Sequence, residues 1–110
     1  MIYHLTMPEI YEPMKGADEY KTPTMEWEGF IHCLKREQLL RVANDNYREA
    51  KKIILLCIDE TKLAPKVVEE DLYGMGEAFV HVYGPVNREA IVRVVEWAPG
   101  KEGYALPEGL

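Results

Sequence analysis

Ile53-Ile54-Leu55-Leu56-Cys57-Ile58, six consecutive apolar residues, is the stretch that decides the fold. A strand with one wet face alternates apolar and polar side chains, whereas a strand covered on both faces carries an unbroken apolar run. The run is short for a helix and holds three β-branched isoleucines, so it reads as a central strand. The rest of the chain must then supply a layer for each of its faces.

Upstream, Ile2 to Leu5 reads as a strand that runs straight into a helix. Thr6 and Glu9 have the spacing of a capping box, and Gly16 offers a left-handed stop. The polar stretch 17–28, with Tyr20 and Trp27 as aromatic anchors, reads as an ordered loop. A second strand covers Gly29 to Cys33, and a helix follows from Arg36 to Ala50 with Leu39, Ala43 and Tyr47 on one stripe beside Leu40. Leu34 and Lys35 occupy its cap positions, and a missing N-cap costs about 0.5–2 kcal/mol.

Downstream, Asp59 to Ala64 reads as a turn or short 3₁₀ piece, and Lys66 to Glu70 as a half-exposed strand. Gly74 and Gly76 mark a loop before the strand Ala78 to Tyr83, which Gly84-Pro85 ends. A last strand spans Ala90 to Trp97. From Pro99 onward glycine and proline erase any periodicity. Residues 1–97 therefore form a single globular domain, and 98–110 an irregular tail that packs without pattern or frays. Strands separated mostly by loops, with both helices in the first half, indicate the α+β class. The expected architecture is a split, strongly bent sheet, mixed or antiparallel, with two helices and a cleft between its halves.

Composition narrows the function. The 110 residues have room for one core. A net charge of −6 with no basic block argues against nucleic acid as a partner. Cys33 and Cys57 lie in apolar runs without CxxC spacing, and read as reduced, buried thiols of a cytoplasmic protein. The opening MIYHLTMPEI has neither a basic nor an apolar targeting region, and no apolar run approaches the ~20 residues of a membrane span. The chain contains no serine, which excludes a serine nucleophile. Gly74-x-Gly76 precedes a strand and lacks a third glycine, so it fails as a dinucleotide fingerprint. Glu69-Glu70-Asp71 reads as a solvated strand end in preference to a metal site.

The three histidines stand out because each lies inside a strand: Tyr3-His4-Leu5, Ile31-His32-Cys33 and Val80-His81-Val82. Alternation puts Phe79, His81 and Tyr83 on one face, and Phe30 with His32. An imidazole inside a sheet must find partners, since an unpaired buried polar group costs about 1–3 kcal/mol. Three readings follow: a cleft that binds a ligand or moves protons, a zinc site, or three core histidines bonded to main-chain oxygens. Zinc lacks a short-spaced ligand pair here, and Cys33 points away from His32; no metal ligand is assigned.

The motifs Ile2-Tyr3-His4-Leu5-Thr6, Glu28-Gly29-Phe30-Ile31-His32-Cys33 and Glu77-x-Phe79-x-His81-x-Tyr83-Gly84-Pro85 resemble, in that order and over about residues 1–97, the small bacterial family numbered 952 among the domains of unknown function. The resemblance implies an ADP-ribosyltransferase-like fold with a cleft for NAD or an ADP-ribose-like ligand. It implies that His4 bonds a ribose hydroxyl, that His32 flanks the nicotinamide or a phosphate, and that His81 or Glu77 fills the third role. In having histidines and no essential acid, the chain is similar to RNA 2′-phosphotransferases. Phe79 and Tyr83 offer aromatic surface for a ring, or are simply core. Where the family has Ser-Thr after its second motif, this chain has Leu34-Lys35, which removes a hydroxyl and leaves a cation in its place.

Two functional readings result. One is a small-molecule-binding domain, as an enzyme acting on an NAD-derived or phosphorylated nucleotide, with His4, His32 and His81 in catalysis and Glu77, Phe79 and Tyr83 in binding. The other is a non-catalytic interaction domain in which the histidines hold the sheet together.

Overall fold

The computed structural model describes residues 1–110. In chain order the elements are β1 (Ile2–Thr6), α1 (Pro8–Tyr11), β2 (Glu19–Tyr20), α2 (Met25–Glu28), β3 (Ile31–Cys33), α3 (Leu39–Asn46), β4 (Ile53–Ile58), β5 (Lys66–Glu70), β6 (Phe79–Tyr83), β7 (Val86–Asn87) and β8 (Ile91–Trp97). They form three antiparallel sheets with strand orders β1-β4-β8, β3-β6-β5 and β2-β7. The fold is α+β, with three short helices where the sequence led us to expect two, and no parallel pair.

The apolar run 53–58 is β4, central and buried along its whole length. Ile54, Leu56 and Ile58 face a layer built by Ile31, Cys33, Val80 and Val82 of the second sheet, closed by Tyr20 and Val86. Ile53, Leu55 and Cys57 face the opposite layer, where Leu39 and Ala43 of α3 meet Trp97 and Tyr104. Each fully buried Ile or Leu contributes about 1.5–3 kcal/mol, so this strand anchors both halves of the core.

The two larger sheets join at one residue pair. The Tyr3 amide donates to the Leu34 carbonyl at 2.9 Å, and the Leu34 amide to the Tyr3 carbonyl at 2.6 Å. The sheet splits and bends there. Helix α3 covers β1, β4 and β8, and leaves the outer face of β3 and β6 open beside it.

Several local expectations need correction. The Thr6–Glu9 capping box does not form, because Thr6 is the buried last residue of β1 and Met7 stands at the helix cap with no side-chain bond. Pro8 starts α1 instead, its fixed φ suiting the first helical position, and a 3₁₀ turn extends it to Met14. The segment 17–28 is not all loop: it holds β2 and α2, and α2 closes on Gly29 at φ +81°. Tyr20 is buried, but Trp27 is 73% exposed and anchors nothing. Helix α3 stops at Asn46, four residues early, after a 3₁₀ turn over Arg36–Gln38. The amides of Asn44 and Asn46 turn back to the carbonyls of Leu40 and Val42, a competition that weakens a helix end. The missing hydroxyl cap at its start is replaced in part by Gln38, whose Oε1 accepts the Lys35 amide at 3.0 Å.

Beyond β8 the chain is irregular yet ordered. Tyr104 is buried, its amide donates to Asn44 Oδ1 at 2.8 Å, and its hydroxyl donates to the Tyr47 carbonyl at 2.9 Å. Trp97 Nε1 donates to the Ala105 carbonyl at 2.9 Å. Truncating a buried aromatic costs about 3–5 kcal/mol, so Tyr104→Ala should lower stability on that scale, with Tyr104→Phe losing only about 1 kcal/mol for the hydroxyl. Urea titrations of the two variants check this; a change under about 0.5 kcal/mol for Tyr104→Ala would mark the tail as loose surface.

Candidate functional site

The histidines divide into one and two. In β1, Tyr3 and Leu5 point toward α3, so His4 points the other way, into the layer between the sheets. It is buried, with Nδ1 2.6 Å from the His32 carbonyl and Nε2 2.8 Å from the Tyr20 hydroxyl. A carbonyl can only accept, so Nδ1 carries the proton and Nε2 accepts from Tyr20. Both nitrogens are thereby used inside the protein. Burial pushes the His4 pKa down to about 4, against the smaller upward pull of the His32 carbonyl, and burial also raises the Tyr20 phenol.

His32 and His81 stand directly opposite each other on β3 and β6. Ile31, Cys33, Val80 and Val82 point into the core, so the two imidazoles point outward, with ring centroids 5.4 Å apart and planes nearly perpendicular at 82°. Phe30 stacks on His81 at 4.1 Å and meets the edge of His32 at 4.9 Å. Each histidine has its own carboxylate. His32 Nε2 donates to Glu28 at 3.1 Å, across the turn that ends α2. His81 Nδ1 donates to Glu70 Oε2 at 2.8 Å, and the same oxygen accepts from the Tyr83 hydroxyl. The hydrogen bonds from Tyr83 and then His81 hold the Glu70 carboxyl below its ordinary range. Burial pushes Glu28 up, but the bonds from His32 and Thr24 outweigh it and leave it lowered.

An ionised carboxylate only accepts, so Glu28 and Glu70 select the tautomers of the neutral rings: His32 keeps Nδ1 free and His81 keeps Nε2 free. His81 is only 2% exposed, its Nε2 has no protein partner, and no fully enclosed side-chain nitrogen or oxygen lacks one. That nitrogen must therefore reach open space. The space is a cavity of about 430 Å³ where the outer face of β3 and β6 meets α3 and the loop 71–75. His32, His81 and Phe79 form its floor, Asp45 and Tyr47 belong to the helix side, and Tyr73 and Met75 to the loop side. Its volume lies within the range of small-molecule sites.

The other residues singled out from sequence are placed differently. His4 and Glu77 do not line the cavity. Glu77 binds Gln38 Nε2 at 2.8 Å and forms an ion pair with Arg41. Tyr83 stands outside the cavity, behind Glu70. The acidic triplet read as one solvated strand end separates into three roles. Glu69 pairs with Lys35 at 2.8 Å, Glu70 orients His81, and Asp71 accepts the amides of Met75 and Gly76 at 2.9 and 2.7 Å. Strand alternation already put Phe30 beside His32, whereas Glu28 stood only within a motif; its signal was spacing, four residues before His32. Glu70 comes from pairing β5 with β6, where it lies diagonal to His81 through the Val68↔His81 register. No group of three or more His, Cys, Asp or Glu side chains is arranged to hold a metal ion, and no helix is long and apolar enough to cross a membrane.

Residues 6–94 match the model of a family described as "Protein of unknown function (DUF952)". The chain belongs to that family. Among solved structures, this DUF952 chain resembles protein CC0527 from Caulobacter crescentus. The crystal structure of that protein superposes with a TM-score of 0.79 at 22% identity, over 94% of this chain and 90% of that one. Its solution NMR structure gives 0.79 at 22%, over 94% and 89%, and a double mutant gives 0.78 at 21%, over 94% and 90%. At such identity the likeness shows the DUF952 fold and nothing of its chemistry. No curated protein matches the chain.

The His4 environment makes a pH prediction. Its folded pKa of about 4 lies below the ordinary 6.5, so between those values the unfolded chain binds the extra proton. The stabilisation is complete above 6.5 and is lost as pH falls toward 4, by up to about 1.4 kcal/mol per pH unit. Denaturation midpoints from pH 7.5 to 4.5 should fall more steeply for the wild type than for His4→Gln; parallel profiles would contradict the assignment.

Proposed function

We propose that this protein is a small-molecule-binding domain, and that its site is the cavity floored by His32 and His81. The observation that carries the proposal is the His81 imidazole: nearly all buried, oriented by Glu70 and Tyr83, with one ring nitrogen left free at a cavity wall. A histidine that served only packing would bond both nitrogens within the protein, as His4 does. A free basic nitrogen backed by a carboxylate is the arrangement of a general base.

The ligand we propose is an NAD-derived or other phosphorylated nucleotide. The planar base or nicotinamide ring lies against Phe79, and a ring amide or ribose hydroxyl donates to His81 Nε2, with His32 as a second polar contact. Arg41, half exposed and paired with Glu77, is the one arginine or lysine in the lining, so the phosphates lie outside the cavity on its solvent side. An ADP-ribosyltransferase-like ancestry for the split sheet belongs to the same proposal. It is supported by the antiparallel sheet broken beside β1 and by a histidine on each of β1, β3 and β6. In this chain the first of those histidines acts as a positioning residue, because His4 holds the His32 carbonyl and so sets β3. The two buried free thiols fit a reducing, cytoplasmic setting.

The second reading, a domain without a ligand, draws support from the saturation of His4. Variants separate the two. His32 is half exposed, so His32→Ala should change stability by less than about 1 kcal/mol. In histidine-detected NMR titrations with NAD, ADP-ribose and nicotinamide, the His81 and His32 signals should shift in the wild type, and the response should weaken at least about tenfold in His32→Ala. Silence from all three ligands, with a large stability loss in His32→Ala, would favour the structural reading.

A further inference from the structure

The charges and acceptors around the cavity say what kind of ligand group it takes. Its lining contains three carboxylates, Asp45, Glu70 and Asp71, against one guanidinium, Arg41. That guanidinium is already held by Glu77, so a ligand inside the cavity meets a negative field. Aromatic surface comes from three sides: Tyr47 after α3, Tyr73 on the loop and Phe79 on the floor. Ring faces attract cations and repel anions.

The free nitrogen of His81 adds an independent constraint. In the neutral ring the Nδ1 proton is committed to Glu70, so Nε2 presents a lone pair and accepts a hydrogen bond. A ligand that offers another acceptor at that point leaves two lone pairs facing each other. One that offers N–H satisfies the nitrogen. Negative field, aromatic walls and a buried acceptor all select the same chemistry.

We propose that the cavity binds an organic cation bearing N–H donors on an apolar or aromatic body: a protonated amine, an amidinium or a guanidinium group. The inference rests on the cavity being the binding site. It goes further by fixing the sign of charge and the donor character of the group that enters. The N–H hydrogen bonds to His81 Nε2, the positive charge lies among Asp45, Glu70 and Asp71, and the apolar body lies between Tyr73, Met75 and Phe79. Phosphates of any attached nucleotide then stay outside.

Three probes of one shape and different charge test this: benzylammonium, benzyl alcohol and benzoate, titrated into the full-length protein with His32 and His81 followed by NMR. Benzylammonium should bind at least about fivefold more tightly than benzyl alcohol, and benzoate should not bind. Asp45 is exposed at the rim, so Asp45→Asn preserves the fold. It should weaken benzylammonium about threefold or more and leave benzyl alcohol unchanged. Equal binding of the three probes, or preference for benzoate, would overturn the cation inference while leaving the cavity as a site. A response to NAD or ADP-ribose with none to the three probes would do the same. If no probe and no nucleotide moves either histidine, the cavity reading fails as well.

Discussion

Two backbone hydrogen bonds between Tyr3 and Leu34 govern this architecture. They are the joint at which one sheet becomes two. Continuous pairing of β1 with β3 would have given the main-chain groups of β3 partners along its length, and a flatter surface. Because the pairing stops at one bridge, the His32 carbonyl has no strand partner at that edge, and His4 reaches across to bond it. The cost of a polar group in the core is thereby offset on both sides. The same bend swings the outer face of β3 and β6 away from α3 and opens a cavity between them.

The chemistry of the cavity follows from strand alternation. Apolar Ile31, Cys33, Val80 and Val82 must turn inward to cover β4, so His32 and His81 are forced outward as a cross-strand pair. Carboxylates from different elements then fix which nitrogen each ring offers. Glu28 comes from the end of α2, and Glu70 from the end of β5. Core packing and site chemistry are thus two faces of the same two strands. Burial also sets the reactivity of the thiols: Cys33, in the core face of β3, is pushed up to about 12 and stays an unreactive packing group.

Much of this was legible in the chain. The unbroken apolar run at 53–58 announced the doubly covered strand, and alternation put Phe79, His81 and Tyr83 on one face. What sequence could not supply was the third dimension. Nothing local distinguishes His4 from His32, since both sit between apolar neighbours in a strand; only the fold shows that one faces a closed layer and the other a cavity. Thr6 and Glu9 matched a capping box, but the demand of β1 for a fifth paired residue took Thr6 into the sheet. The acidic triplet at 69–71 was uniform as text, and its division among a lysine, a histidine and a tight turn depends on strand register and loop path. Trp27 shows the converse error, a large aromatic that belongs to no core.

The account stands on which nitrogen of His81 carries the proton. A long-range ¹H–¹⁵N correlation spectrum of the ligand-free protein above pH 7.5 reads this directly. The account predicts a pyrrole-type, protonated Nδ1 and an unprotonated Nε2 for His81. A proton on Nε2 in place of Nδ1 would mean that Glu70 does not orient the ring, and a proton on both would leave the cavity without the acceptor on which its proposed chemistry depends.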